Sequence, residues 1–198
     1  MLTARIAVLV SGGGTNLQAM IDSCGRGEMP HGNISLVVAD KAGVGAIARA
    51  EKAEIPCEVI VRREEGFEEK VLAAAEKYQI DMIVLAGFLG ILSADFISRF
   101  GKPIINIHPA LIPSFCGKGM YGLRVHQAAL DYGVKVTGAT VHYVNEIPDG
   151  GKIIAQRAVD ILPGDTPEIL QRRVMEQAEW KLLPAAAEQV AREIVERG

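Results

Sequence analysis

Residues 5–16 read RIAVLVSGGGTN, an apolar run that passes through three glycines into residues that favour a helix. Arg5–Val10 predicts a buried strand, Ser11–Gly14 a loop, and the segment from Thr15 to Cys24 a helix. Each of four further short apolar runs follows a helical segment; these runs are 34–39, 58–61, 82–86 and 104–107. Apolar strands separated by helices indicate a parallel sheet that is covered on both faces. The sequence therefore predicts an α/β fold with a doubly wound, mostly parallel sheet.

The second half of the chain has a different pattern. Residues 135–144 alternate polar and apolar side chains, as a half-exposed strand would, and residues 152–159 follow a Pro-Asp-Gly-Gly turn at 148–151. This pattern predicts an antiparallel hairpin added to the sheet. Thr166 before Pro167 is typical of a helix start, and Pro184 is expected to kink or split a helical tail that runs to Gly198. Because no linker, repeat or low-complexity tract interrupts the chain, residues 1–198 are predicted to form a single domain.

Composition narrows the class of protein. Hydrophobic residues make up 49% and charged residues 23%, which is typical of a folded globular protein. The formal net charge is −3 and no Lys/Arg run appears, so no nucleic-acid partner is expected. The three cysteines are far apart and lack zinc spacing, which predicts no metal and a reducing cytoplasm. No stretch approaches the ~20 apolar residues that span a bilayer, so neither export nor a membrane partner is expected.

The loop Ser11–Asn16 is the first candidate site. Glycines let a backbone approach a ligand closely, and free N–H groups at a helix start favour an anion, so phosphate is the predicted ligand. A tight strand-to-helix turn without a ligand is the alternative. The loop is not the G-x-x-x-x-G-K-[ST] nucleotide loop, because no lysine follows. It also fails the dinucleotide pattern G-x-G-x-x-G, because the sixth position counted from Gly12 is Leu17.

The second candidate site is Asn106-Ile107-His108-Pro109, at the end of the fifth predicted strand. Asn106 and His108 are two residues apart on an extended chain, so their side chains face the same way. Ligands of open α/β sheets bind beyond the carboxyl ends of the strands, where an amide beside an imidazole suits an oxyanion or a proton transfer. A capping asparagine and a hydrogen-bonded structural histidine are the alternative. Asp149, in the 148–151 turn, is the third candidate, although aspartate before glycine is ordinary in turns.

Several segments occur together in one order: Ser11–Asn16, Ala86–Leu92, Asn106–Pro109, Val136–His142 and Asp149–Gly151. Over nearly the whole chain, this set resembles the phosphoribosylglycinamide formyltransferases of purine biosynthesis. The resemblance implies a Rossmann-like formyltransferase fold that moves the formyl group of 10-formyltetrahydrofolate, a co-substrate, onto the amine of glycinamide ribonucleotide, with no metal. It also implies a phosphate-binding half at 1–100 and a folate-binding, catalytic half at 101–198.

The resemblance further assigns roles to individual residues. Asn106 and His108 would stabilise the oxyanion of a tetrahedral intermediate, with His108 as proton donor. Asp149 would raise the pKa of His108 and assist proton movement through water. The residues implied to bind the phosphate and ribose of the substrate are Gly14, Thr15, Asn16 and Glu179. The residues implied to bind the folate are Arg63, Leu89, Gly90, Ile91, Leu92 and Asn106.

Some features depart from the commonest pattern of that family. Gly90 lies where a basic residue is often found, and the glycine-rich loop 114–122 is longer than usual and is expected to be a mobile flap. The family's arginine near the third helix corresponds to Arg62 or Arg63, of which Arg63 is taken as the folate-binding residue.

Other functions stay open at the level of the sequence. Within the same chemistry, the alternatives are a formyltransferase with a different amine acceptor and a formyltetrahydrofolate hydrolase. From other classes, a dinucleotide-dependent oxidoreductase lacks its glycine pattern here, and a non-catalytic binding module leaves Asn106, His108 and Asp149 unexplained. Small-molecule substrates and a monomer or homodimer in the cytoplasm are expected.

Overall fold

The computed structural model describes residues 3–197, which form one seven-stranded sheet with helices on both faces. The strands are β1 (Ala4–Val10), β2 (Gly32–Ala39), β3 (Cys57–Val59), β4 (Met82–Leu85), β5 (Ile104–His108), β6 (Val136–Tyr143) and β7 (Ile153–Asp160). The helices are α1 (Thr15–Gly25), α2 (Gly45–Lys52), α3 (Phe67–Lys77), α4 (Ala94–Phe100), α5 (Leu123–Tyr132), α6 (Pro167–Val174) and α7 (Trp180–Arg197). A π-helical segment, Met175–Glu179, joins α6 to α7.

The strands lie in the order β3-β2-β1-β4-β5-β6-β7. Strands β1 to β5 are parallel, whereas β6 runs antiparallel to both β5 and β7. The predicted α/β fold and the antiparallel hairpin are therefore confirmed. From β1 the chain winds outward to β3 and then returns to the other side of β1 at β4, so the strand order reverses between β1 and β4. Such a reversal opens a crevice at the carboxyl ends of the two strands, where ligands bind in folds of this kind.

Strand β1 shows why the apolar runs do not alternate. Ile6, Val8 and Val10 pack into the core on one face, with α1, α2 and α7, while Ala7 and Leu9 pack on the other, with α3 and α4. Because both faces of the strand are removed from water, every position favours an apolar side chain.

The prediction that residues 135–144 form a half-exposed strand is wrong in its burial. Strand β6 is present, but every residue from Thr137 to His142 is buried. The reason is its position, since β6 lies inside the sheet between β5 and β7. Thr140 and His142 form hydrogen bonds inside the protein, whereas Thr137 Oγ1 is buried without a partner among residues 3–197. Exposure falls on the edge strand β7.

The C-terminal helices begin at the predicted place, but the helical tail is not split at the proline as predicted. Thr166 Oγ1 accepts a hydrogen bond from the N–H of Ile169, with Pro167 in the first turn, so the predicted helix start is confirmed. Pro184 lies inside an uninterrupted α7, and the irregular segment is the π-helical stretch that ends at Glu179, before α7 begins. The predicted end of the tail, Gly198, lies outside the described residues.

Candidate active site

A cleft of about 450 Å³ lies at the carboxyl ends of β1, β4 and β5. Its walls include residues from the glycine-rich loop, from the segment after β4, from the end of β5, from the loop before α5 and from the π-helical segment. The fold therefore brings the candidate regions of the sequence into a single cavity, and the elements that carry them are fixed by the sheet.

The glycine-rich loop leads from β1 into the N-terminus of α1. Gly12, Thr15 and Asn16 line the cleft. Gly14 has φ +72°, and a Cβ there would lie 2.7 Å from the Cβ of Ala46 on α2. Glycine at position 14 is thus required by the backbone and by packing against α2. Its contact with phosphate stays a prediction, whereas Thr15 and Asn16 lie where the free N–H groups of α1 open into the cleft.

Asn16 and Glu179 are 163 residues apart and meet in the cleft. Asn16 Nδ2 donates to Glu179 Oε2 at 2.7 Å, and both side chains are buried. Burial raises the pKa of Glu179, against the opposing effect of the bond from Asn16. Among residues 3–197, the Oδ1 atom of Asn16 is buried without a partner. Glu179 ends the π-helical segment, a type of distortion that is frequent at functional sites.

The end of β5 brings the predicted catalytic groups together. Asn106 and His108 both line the cleft, as their spacing predicts. Asp149 lies in the turn after β6 with φ +55°, and its Oδ2 atom is 3.7 Å from His108 Nδ1. A Cβ on Gly151 would lie 1.6 Å from the carbonyl oxygen of Tyr143, so only glycine lets this turn fold back against β6.

His142 is a member of this group to which the sequence analysis assigned no role. It lies opposite Asn106 in the antiparallel pairing of β5 with β6. Its Nδ1 donates to the carbonyl oxygen of Tyr143 at 2.9 Å, and its Nε2 lies 3.2 Å from Asn106 Nδ2 and 3.5 Å from Asp149 Oδ1. The only sequence signal was its place in the 136–142 segment, because the cross-strand register that brings it to Asn106 is not visible in the sequence.

Two opposing effects set the pKa of His108. Asp149 raises it, as expected, and so does the Phe115 carbonyl. Burial lowers it by more, so the pKa of His108 lies below its usual value. Burial tends to raise the pKa of Asp149, but the nearby His142, the N–H of Gly117 and the nearby His108 outweigh it, so the pKa lies below its usual value.

The loop before α5 covers both groups. The carbonyl oxygen of Phe115 accepts from His108 Nε2 at 2.8 Å, and the N–H of Gly117 donates to Asp149 Oδ2 at 2.8 Å. The loop therefore occupies hydrogen-bonding atoms of His108 and Asp149 that a substrate would need. It has to withdraw before His108 Nε2 can donate to another acceptor. Its predicted mobility stays a prediction.

The segment after β4 forms an apolar wall of the cleft. Leu89, Gly90, Ile91 and Leu92 all line it, and the side chains of Leu89 and Ile91 are 49% and 70% exposed. Arg62, rather than the predicted Arg63, reaches this wall, because Arg62 Nη1 donates to the carbonyl oxygen of Leu89 at 3.1 Å. Arg63 is exposed and is not among the residues that line the cleft, and its contact with folate stays a prediction.

Within residues 3–197, no group of three or more His, Cys, Asp or Glu side chains is placed to hold a metal ion. No helix in the same range is long and apolar enough to cross a membrane.

The fold and the site together define the class of protein. A doubly wound sheet carries, at its switch point, a helix N-terminus suited to an anion and an Asn-His-Asp group, in which the histidine is buried, suited to stabilising an oxyanion and moving a proton. This is the arrangement of an α/β enzyme that transfers a group between two small molecules. The chain belongs to the formyl transferase family, whose model matches residues 4–187.

Named relatives agree with this assignment. The chain is 39% identical over 184 residues to the phosphoribosylglycinamide formyltransferase of Haemophilus influenzae, covering 91% of this chain and 84% of that protein. It is 43% identical over 199 residues to the human trifunctional purine biosynthetic protein adenosine-3, covering 98% of this chain but only 19% of that much longer relative. The crystal structure of phosphoribosylglycinamide formyltransferase from Brucella melitensis superposes with a TM-score of 0.86 at 41% identity and covers 96% of each chain.

Proposed function

We propose that this protein transfers the formyl group of 10-formyltetrahydrofolate to the amine of glycinamide ribonucleotide, a step of purine biosynthesis. The observation that carries the proposal is the meeting of Asn106, His108 and Asp149 in the same cleft as the open N-terminus of α1. An anion site and an oxyanion site in one cavity suit a phosphorylated amine that attacks a carbonyl carbon. The names of the Haemophilus influenzae and Brucella melitensis relatives support the same reaction.

In the proposed reaction, the substrate amine adds to the formyl carbon and negative charge develops on the formyl oxygen. Asn106 donates one N–H to this oxygen, while its other N–H is directed at His142 Nε2. His108 supplies the second donor and passes a proton to the departing folate nitrogen. The proton that the attacking amine loses returns to His108 through water, so no proton is gained or lost overall. In a buried site these donors stabilise the charge more than water would, because they are already oriented.

Asp149 keeps His108 able to carry that proton. Without a carboxylate 3.7 Å away, the burial that already lowers the pKa of His108 would act unopposed. Its second oxygen lies 3.5 Å from His142 Nε2 on β6. The proposal requires the Phe115 carbonyl to leave His108 Nε2 when the substrates bind.

On the acceptor side, the N-terminus of α1 with Gly14, Thr15 and Asn16 receives the phosphate. Glu179 holds the amino-sugar part of the substrate, with Asn16 fixing the position of its carboxyl group. The distance between these groups and the end of β5 is spanned by a single cavity, so one ligand can reach both.

On the donor side, the wall Leu89–Leu92 receives the folate. The residues present fit such a ligand, because exposed apolar side chains at 89 and 91 flank main-chain groups of Ile91 and Leu92 that have no protein partner in the described range. An aromatic heterocycle suits both features of this wall, because it can stack against the apolar side chains and form hydrogen bonds with the main-chain atoms. Arg62 is the arginine beside this wall, and Arg63, the next residue, is proposed to contact the folate.

We also propose that residues 1–198 act as a single formyltransferase domain, with a phosphate-binding half at 1–100 and a folate-binding, catalytic half at 101–198. The division does not hold for every contact, since the proposed folate wall Leu89–Leu92 comes from the first half and Glu179, proposed to hold the ribonucleotide, from the second. The protein is proposed to act in the cytoplasm on small molecules as a monomer or homodimer, without nucleic acid, membrane or metal. The net charge of −3 and the absence of a basic run support the exclusion of nucleic acid.

The test is a reconstituted reaction that contains the protein, 10-formyltetrahydrofolate and glycinamide ribonucleotide. Its progress is monitored by the release of tetrahydrofolate. Release that requires both substrates and persists in EDTA without ATP is expected. Equal release without the ribonucleotide would identify a hydrolase, and release only with another amine would identify a different acceptor. No release under any of these conditions would refute the proposal.

A further inference from the structure

Asp40, directly after β2, lies outside the cleft lining and is almost fully buried. Its Oδ2 atom accepts a hydrogen bond from Ser11 Oγ at 2.7 Å and lies 3.3 Å from Arg62 Nε. The main chain of Asp40 is held as well, since its N–H donates to the carbonyl oxygen of Val10 and its carbonyl oxygen accepts from the N–H of Arg62. A buried carboxylate is costly unless it is paired, so this residue needs a structural or functional reason.

Both partners of Asp40 reach the main chain of the same residue, Leu89. Ser11 Oγ accepts from the N–H of Leu89 at 2.8 Å, and Arg62 Nη1 donates to the carbonyl oxygen of Leu89 at 3.1 Å. The Arg62 side chain also packs against the next residue, Gly90, because its Cδ lies 2.9 Å from the position that a Cβ on Gly90 would take. Asp40, Ser11, Leu89 and Arg62 therefore form a closed ring of polar contacts.

The ring matters because the segment it holds has no regular structure. Residues 86–92 follow β4 and precede α4 outside any helix or strand. Ser11 is the first residue of the glycine-rich loop, so the ring ties the two sides of the cleft to one buried carboxylate. Loss of that carboxylate leaves Ser11 and Arg62 without their common acceptor.

We propose that Asp40 is a positioning residue that sets the place of the Leu89–Leu92 wall relative to the glycine-rich loop through Ser11 and Arg62. That the wall binds folate rests on the proposed function. The glycine-rich loop is independently held by α1 and by Arg49 Nε, which donates to the carbonyl oxygen of Gly13 at 2.8 Å. The segment after β4 is also held at Gly87, whose carbonyl oxygen accepts from the N–H of Ser11 at 3.2 Å, so residues 89–92 beyond that bond are the part expected to move when the ring is opened.

The test compares the full-length protein with Asp40→Asn, Arg62→Gln and the double variant. Hydrogen–deuterium exchange of the peptide spanning 86–93, without ligand, is expected to rise about three- to tenfold in each single variant, the equivalent of one net hydrogen bond. The Kd of tetrahydrofolate, from calorimetry, is expected to rise by a similar factor. The Kd of glycinamide ribonucleotide should stay within about twofold, as for an independent site.

The double variant should be no worse than the more damaged single variant, because both substitutions open one ring. Asp81→Asn is the matched control. Asp81 accepts from the N–H of Arg5 at the opposite end of β1, so its loss tests a carboxylate of the same sheet remote from the cleft. It is expected to leave both the exchange of 86–93 and the two Kd values unchanged. Arg62→Gln keeps the test informative if Asp40→Asn fails to fold, since the arginine side chain is 40% exposed.

Unchanged exchange at 86–93 in the folded variants would overturn the inference. So would faster exchange with an unchanged Kd for tetrahydrofolate, or an equal rise in both Kd values. Failure of the proposed function has a different signature: the unaltered protein would bind no tetrahydrofolate and transfer no formyl group, while the exchange would still report whether Asp40 holds the wall.

Discussion

His126, on α5, supports a quantitative prediction about acid stability. Its side chain is completely buried, and within residues 3–197 neither ring nitrogen has a hydrogen-bond partner. Burial, with a smaller contribution from His108, lowers the pKa of His126 to about 4. The unfolded chain exposes the same imidazole to water, where its pKa is about 6.5. Between these two values the unfolded state binds the proton and the native state does not.

The sign of the effect follows from that difference. Because the unfolded state binds more protons, the free energy of unfolding increases with pH between about 4 and 6.5. The penalty from His126 is absent above this window and complete below it. A pKa difference of this size corresponds to about 3 kcal/mol at pH 4, since each unit is worth about 1.4 kcal/mol. This is a large fraction of the ~5–15 kcal/mol that stabilises a typical domain.

The perturbation is His126→Leu, which removes the titration and keeps an apolar side chain of similar size. Urea unfolding followed by circular dichroism at a series of pH values from 8 to 4 measures the difference between the two proteins. At pH 8 the free energies of unfolding of the variant and of the unaltered protein should differ by no more than about 1.5 kcal/mol. This difference reports the change in packing alone. As the pH falls to 4, the free energy of unfolding of the variant should rise by about 3 kcal/mol relative to that of the unaltered protein, beyond the difference measured at pH 8. Parallel pH profiles for the two proteins would refute the reasoning, because they would show that His126 binds its proton equally in both states.

Three further predictions concern the cleft. His108→Ala should lower kcat by about 10²–10⁴, and Asn106→Ala by about 10²–10³, with KM changing less, and the double variant should lose less than the product of the two. Asp149→Asn should keep the turn, since asparagine tolerates positive φ. It should also lower the pKa of His108 further, so that, as the pH is raised, activity falls off at a lower pH than in the unaltered protein. Gly12→Val, which projects into open space at the cleft, should raise the KM for the ribonucleotide, whereas Gly14→Val should destabilise the fold by colliding with α2.

Each of these predictions has a measurement that decides it. A folded His108→Ala protein with nearly normal kcat would end the proposed mechanism. An NMR titration in which Asp149→Asn leaves the pKa of His108 unchanged would remove Asp149 from its role. For the glycines, thermal unfolding accompanies the kinetics, and a Gly14→Val protein as stable as the unaltered one would contradict the packing argument.

Much of the fold was predictable because its causes are local. The run Arg5–Val10 is apolar at successive positions, and a strand that is covered on both faces requires such a run. The start of α6 was equally visible, because Thr166 caps the helix through the N–H of a residue three positions away. Asn106 and His108 face the same cleft because of the period of an extended chain, which also needs no tertiary information.

The rest depended on contacts between distant parts of the chain. The burial of β6 follows from its neighbours in the sheet, which its own polar pattern does not report. His142 reaches Asn106 through the register of β5 with β6, and the net pKa of His108 depends on how much protein surrounds it.

The sequence by itself determined the α/β class, the order of the elements and the residues with the chemistry of the site, because these depend on side-chain type and short-range periodicity. Only the tertiary structure decided that Glu179 meets Asn16 and that Arg62, rather than its neighbour, reaches the wall of the cleft. The physical reason is that strand order and register determine which distant groups become neighbours, and neighbouring groups set the hydrogen bonds and charges that make a site.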